Sequence, residues 1–568
     1  AVLSYLAAKD WDRAIAVANT YLKSHPKPKE INKPWRAWLL YGLAEALYYS
    51  YRFPEAENIY RDILQNFKEG KVVGYALAGI GWTLLNQGNY EDAVKELEAA
   101  VSYKDKIIQL QSRAGLGIAY FNLADQNLSQ GIKEKNSDKV YEADKNINKA
   151  IINFERGLSY LYYGDTIVNN FIEQGLKDEK SLKLPDRVLK MIDTAWVPRF
   201  VYYIGKSYHQ WGRISKVLEK KYSFNPQFYN SMVFLKVNFP KNEYTPKGLY
   251  ELGEILKKGP KNFKKMALGL FRWIVKNHPS NPLAPSAQCR IGEIFNMLGQ
   301  YDSAYVAYNE VFIQFPSAEE IVIQDAKEGL YENMILKNTT IYQVGNREIE
   351  IARDSIAVEE LDKFASTYPG SEHSQRARLA NYYYYLLIKK DTLRAAEELL
   401  KLVTEWPDNE RSMLFMWQAA FLYRKINKWK DALEVYERFR DFYAKNQKWF
   451  AKDPKKCIQS YYWIGVCRME LNEYKKAIEA FGKYLTYKDS LNPQDILDAT
   501  INLALSYRNV GNREKARLYF KQAKKMAIDL GDKWALGISI KSLIELATSE
   551  EEKQKLLQEA AQYGLIRK

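Results

Sequence analysis

Residues 79–101 read GIGWTLLNQGNYEDAVKELEAAV, and their apolar positions follow two helical stripes separated by a polar break. Leu77, Ile80, Gly81 and Leu84 fall at i, i+3, i+4 and i+7, one face of a 3.6-residue helix. After NQGN, where Gly88 suits a left-handed helix end, a second stripe carries Ala93, Leu97 and Ala100. Gly81, Ala93 and Ala100 are small where a neighbouring helix must approach, Leu97 fills the space between hairpins, and Tyr90 packs across the turn. The same spacing recurs around Ala14, Ala56, Ala304, Ala395, Ala432, Ala477 and Ala516, with weaker copies at Ala150, Val217, Ala267 and Ala357. Successive anchors lie from 37 residues apart (Ala56 to Ala93) to 67 (Ala150 to Val217), so the unit is a helical hairpin with insertions of variable length.

This pattern resembles the tetratricopeptide repeat, a helix–turn–helix module of about 34 residues. The resemblance implies an all-α fold: a right-handed superhelical solenoid of about twelve antiparallel helix pairs, with short inserted loops or a small β-hairpin. Each hairpin has a second apolar side that only its neighbour covers, so the array is quasi-one-dimensional. Pro26, Pro279, Pro316, Pro369 and Pro407 close their units by stopping the second helix. The turns HPSNPLAPSAQ, FPSAEE and YPGSEHSQ resemble those of bacterial cell-envelope and outer-membrane-assembly members of the family. Lipidated members begin their mature chain with Cys, whereas this chain begins with Ala1.

Insertions divide the array. Residues 125–142 lengthen the fourth hairpin by roughly 21 residues over the 34-residue unit. Residues 164–195 and 221–247 are irregular, and NTTIYQVGNREIEIARDS at 338–355 alternates as a short β-hairpin does. The expected organisation is an N-terminal array (1–163), an irregular basic region (164–260) and a C-terminal array (261–568) closed by a capping helix pair. Asn127 and Asn338 head Asn-x-Ser/Thr triplets, glycosylation acceptors only in a secreted setting.

Charge changes the picture locally. The chain carries a formal +15, and the segment from Lys206 to Lys276 holds 15 Lys plus Arg against 4 Glu, or +11 of it. Such a field attracts an acidic partner, an anionic surface or an anionic polymer at 206–276. Aromatics interleave with Lys in KKYSFNPQFYN, but no nucleic-acid motif accompanies them, and nucleic acid is not the expected partner. No stretch reaches the roughly 18 apolar residues of a membrane span. An N-terminal Ala fits a mature end left by signal cleavage, which points to a secreted, periplasmic or surface location in a bacterium.

Candidate chemistry is sparse. Cys289, Cys457 and Cys467 lack metal or redox spacing and read as small core residues. The four histidines, His25, His209, His278 and His373, pair with no ligand at metal spacing, and no phosphate-loop or nucleophile motif is present. No catalytic residue, metal or cofactor is expected, and a non-enzymatic scaffold for protein partners is. In tetratricopeptide proteins the concave groove is lined mainly by the first helix of each pair. The resemblance therefore implies Trp82 and Asn86 in the third unit, Tyr202, Lys206 and His209 in the fifth, and Trp417, Phe421 and Arg424 in the tenth. The chain begins inside the first helix of its first unit, which leaves Ala1, Val2, Leu3, Tyr5 and Leu6 as candidates for docking to another copy. Head-to-tail assembly into a filament is thus the alternative function.

Overall fold

In the computed structural model, which describes residues 1–25, 33–172, 176–219, 225–407 and 409–565, the stretch from Lys71 to Val101 is a helical hairpin. Gly88 adopts φ 80°, and the Asn89 N–H donates to Leu84 O at 2.9 Å, closing the first helix as the NQGN turn predicts. A Cβ on Gly81 would fall inside the Leu97 side chain, so the close approach there requires glycine. Leu97, Ala93 and Ala100 are completely buried.

The described residues form thirty α-helices and one β-hairpin, divided between residues 1–326 and 327–568. The first unit runs α1 (Val2–Ala7), α2 (Trp11–Ser24), α3 (Pro34–Tyr49), α4 (Phe53–Asn66), α5 (Lys71–Asn86), α6 (Tyr90–Val101), α7 (Lys106–Glu134) and α8 (Ser137–Ser159). It continues with α9 (Gly164–Ile172), α10 (Glu179–Leu182), α11 (Asp186–Leu189), α12 (Trp196–Glu219), α13 (Pro226–Asn238), α14 (Tyr244–Lys257), α15 (Lys261–Asn277), α16 (Leu283–Met297) and α17 (Tyr301–Gln314). After α18 (Glu320–Asn338) come β1 (Thr339–Val344), β2 (Arg347–Ala352), α19 (Ser355–Thr367), α20 (Glu372–Tyr383), α21 (Thr392–Glu405), α22 (Glu410–Lys425) and α23 (Trp429–Phe439). The second unit closes with α24 (Gln447–Lys452), α25 (Pro454–Glu470), α26 (Tyr474–Leu485), α27 (Pro493–Asn509), α28 (Arg513–Leu530), α29 (Lys533–Glu545) and α30 (Glu550–Gln562).

The anchors explain the stacking. Ala14, Ala56, Ala93, Ala150, Ala267, Ala304, Ala357, Ala395, Ala432, Ala477 and Ala516 are all at most 2% exposed, so no side chain larger than a methyl fits there without displacing a helix. Val217 departs from the set: it is 40% exposed on the last turn of the 24-residue helix α12, so it does not lie on the second helix of its repeat, and the helix that packs back on α12 is α13, which begins at Pro226. Pro279, Pro316, Pro369 and Pro407 each follow the end of α15, α17, α19 and α21. Pro26 lies outside the described residues, as do 221–224 of the 221–247 insertion.

Two insertions are regular structure. Residues 125–142 extend α7 to 29 residues and begin α8, with Lys135 at φ 52° turning the chain between them. Strands β1 and β2 pair antiparallel from Thr339↔Ala352 to Val344↔Arg347, around a two-residue turn whose Gly345 has φ 62°. The inner end of β2, Ile351 and Ala352, joins the core made by Leu361, Phe364 and Ala377. Asn338 is 4% exposed and its amide donates to Met334 O, so the triplet at 338 leaves no room for a glycan; Asn127 lies within α7. Among the described residues no helix is long and apolar enough to cross a membrane.

Candidate functional site

Helix α12 carries the groove residues of the fifth unit. Tyr202 is completely buried, and its hydroxyl donates to Glu251 Oε1 at 2.8 Å. Burial, then the Glu251 charge, holds the Tyr202 hydroxyl protonated well beyond the usual range. Lys206 Nζ lies 3.2 Å from the same oxygen and 5.7 Å from the centre of the Phe121 ring. His209 packs on Phe228, ring centres 5.1 Å apart, and its pKa is lowered to about 4 by burial, with Arg213 and Lys206 adding to the effect. Tyr202 is therefore part of the wall, whereas Lys206 and His209 border an open groove of about 420 Å³ together with Asp125, Phe228 and Glu254.

The basic segment is less bare than its composition implies. Acidic side chains from other helices meet its cations: Glu251 meets Lys206, Asp125 meets Arg213 at 3.4 Å, and Glu293 meets Lys257 at 2.8 Å. The lengthened α7–α8 hairpin forms the facing wall. Gln210 donates to Asp125 Oδ1 at 2.8 Å, the Trp211 indole N–H donates to Asp144 Oδ1 at 3.1 Å, and Leu128 and Ile132 line a wider groove of about 760 Å³ with His209 and Arg213. Sequence reading treats 125–142 and the basic segment as separate features; their meeting joins residues 85 and 67 positions apart, beyond the reach of any local pattern.

In the tenth unit the three candidates divide. Trp417 is packed edge-on against Tyr436 and Phe439, with ring centres 5.4 and 5.3 Å away, and serves the core. Phe421 is 45% exposed, and the Arg424 guanidinium lies 3.2 Å from the centre of the Trp463 ring. At the first helix, Leu3 points outward at 73% exposure, while Val2 and Leu6 pack over Gly42 of α3.

Trp82 lines a third place, an aromatic cup of about 320 Å³ within the first unit, and Asn86 lies outside its lining, joined to it through Tyr48. Helix α3 contributes Tyr41, Glu45, Tyr48 and Tyr49 at i, i+4, i+7 and i+8; Tyr60, Tyr75, Trp82, Gln111, Trp196 and Arg199 come from four other helices. The Trp82 indole N–H donates to Gln111 O at 3.2 Å, and the Asn86 amide donates to the Tyr48 hydroxyl at 2.8 Å. The Tyr60 hydroxyl donates to Glu45 Oε1 at 2.6 Å; burial nevertheless raises the Glu45 pKa, the Tyr60 and Tyr41 hydroxyls opposing it. Tyrosines at helical spacing in LLYGLAEALYYSY signal one wall of this cup, but nothing local signals Arg199. Among the described residues no group of three or more His, Cys, Asp or Glu is placed to hold a metal ion.

Hairpins stacked through small residues, with grooves left open beside their first helices, define a helical-repeat protein of the interaction-scaffold class. Four segments match models of the tetratricopeptide repeat, residues 41–106, 415–446, 458–490 and 497–527, and the chain carries tetratricopeptide repeats. Proteins built on this repeat bind protein partners and are typically non-catalytic scaffolds. A comparison with curated proteins returns no match. Similar solved structures include the Cut9–Hcn1 hetero-tetramer of the APC/C, at 12% identity, 95% of this chain and 94% of that chain, and a TM-score of 0.26. Two others are a putative kinesin light chain from Podosopora anserina (13%, 44% and 97%, 0.24) and BtubC from P. vanneervenii (13%, 48% and 91%, 0.22). Likenesses at this level carry nothing about function.

Proposed function

We propose that the chain is a non-enzymatic scaffold that holds a partner protein in the groove between α12 and the lengthened α7–α8 hairpin, in a bacterial envelope or extracellular setting. One observation carries the reading: Lys206, His209 and Arg213 border an open groove and are fixed by neighbouring helices, Lys206 by its bond to Glu251, Arg213 by Asp125 and His209 by packing on Phe228, so the surface is preorganised. An aromatic floor with cations fixed at its edge is the composition of an interaction hot spot. The Tyr/Phe-Pro-Ser/Gly turns support the envelope setting, and the Lys excess between 206 and 276 supports an acidic partner surface or an anionic polymer.

Photo-cross-linking tests it. A benzophenone side chain at His209, and in a separate variant at the exposed Ile313, is exposed to the native envelope fraction. The expected result is a defined adduct at 209 that Lys206→Ala with Arg213→Ala removes. Equal labelling at both positions, or an adduct indifferent to the two substitutions, sinks the assignment.

A further inference from the structure

The cup between α3, α5 and α12 has unused hydrogen-bonding capacity that the scaffold reading does not employ. The Arg199 guanidinium lies 4.9 Å from the centre of the Trp82 ring and 5.6 Å from that of Trp196. No carboxylate pairs with it among the described residues, and its Nε–H is buried without an acceptor. A guanidinium carries five N–H donors in a planar fork, and leaving them dry is costly unless an occupant or water supplies oxygens. Across the cup, Glu45 is a carboxylate held in place by tyrosine hydroxyls, and the Tyr60 ring reaches it because a Cβ on Gly79 would lie 2.5 Å from Tyr60 Cζ.

The charges decide the class of occupant. One carboxylate and one guanidinium line the cup, so its formal charge is zero. A cationic side chain would gain Glu45 and meet Arg199; an anion would gain Arg199 and meet Glu45. A purely apolar ring would leave both polar groups unpaired. What satisfies the whole lining is a neutral molecule with hydroxyls on its edge, to accept from Arg199 and donate to Glu45, and with C–H faces to lie on aromatic rings. Tyr49, stacked on Trp11 with ring centres 4.9 Å apart and half exposed, offers such a platform at the rim.

We propose that this cup is a saccharide site that takes one pyranose residue. The volume of about 320 Å³ is at the lower end of small-molecule sites, which suits a single sugar ring rather than a drug-sized ligand. The site is independent of the α12 groove residues Lys206 and His209, so either can fail without the other.

The test uses the full chain and ligand-observed saturation-transfer NMR with methyl pyranosides of gluco, galacto and manno configuration at about 10 mM, above the ~1 mM dissociation constants of weak single-residue binding. At least one pyranoside is expected to receive saturation at its ring C–H protons. Arg199→Gln and Tyr49→Ala are each expected to weaken binding about tenfold or more. Circular dichroism checks both folds, and Tyr49→Ala decides if Arg199→Gln is unstable. No transfer to any pyranoside overturns the proposal, as does transfer unchanged in the folded variants. Stronger transfer to N-acetyl-lysine amide or N-acetyl-glutamate amide overturns it in favour of a charged side chain.

Discussion

Leu97 meets two glycines in two successive hairpins: a Cβ on Gly81 would fall inside its side chain, and one on Gly115 would lie 2.9 Å from its Cδ1. One leucine therefore fills both the gap within its own hairpin and the gap to the next. Gly81→Leu is expected to destabilise the surrounding repeats by about 2 kcal/mol through overpacking. Hydrogen exchange of residues 71–134 is the appropriate measurement, because damage in a one-dimensional array stays near its origin. Adding Leu97→Ala should recover part of the loss, and strict additivity of the two substitutions would refute the shared-space reading.

His209 gives the first unit a pH dependence of definite sign. Its pKa falls from 6.5 to about 4 on folding, chiefly by burial. Between those values the unfolded chain binds a proton that the folded chain refuses, so this contribution to stability is present above pH 6.5 and is lost as pH falls towards about 4. With only 4 histidines in the chain, imidazole NMR resolves each one. His209 is expected to remain neutral as pH falls below 6.5, and a His209 midpoint near 6.5 would contradict the buried geometry.

Arg378 is the hub of a polar network in the second unit. It is 3% exposed, bonds Asp362 through Nη1, and reaches Glu405 Oε1 through Nε at 3.0 Å and Nη2 at 2.9 Å. Removing the guanidinium leaves the largely covered Glu405 without its cation, while Asp362 keeps Lys401, so Arg378→Ala should cost about 3 kcal/mol. Arg378→Lys keeps the charge and loses the fork, and should recover less than half of that in denaturant unfolding.

Cys289, Cys457 and Cys467 are buried, and burial pushes each thiol up to about 12. None is expected to react with a thiol reagent at neutral pH in the folded protein. One cysteine lies in the first unit and two in the second, so labelling followed by peptide mass spectrometry across a denaturant series reports the opening of each unit separately. Rapid native labelling at any of the three would show that its helix pair opens on its own.

How much of this was legible in the sequence follows from the range of each interaction. Ala93, Gly81 and Gly88 lie within one hairpin, and the local spacing gave their roles; so did the alternation that produces β1 and β2. Trp417 and Tyr202 were readable as first-helix residues on the groove side, but whether such a side chain is wall or surface depends on neighbours such as Phe439 and Glu251, which no periodicity reports. The aromatic cup was half visible: Tyr41, Glu45 and Tyr48 share one face of α3, yet Arg199 arrives more than a hundred positions later. The charge excess at 206–276 was real in composition and smaller in space, because Asp125 and Glu293 lie outside it.

The partnership of Asp125 and Asp144 with Gln210 and Trp211 also sets a rule for dissecting the molecule. A fragment cut after residue 163 retains every lysine of the basic segment and loses one side of the groove. The shortest piece worth expressing therefore starts at or before Lys106, and an inactive shorter fragment would report a missing buttress rather than a missing contact.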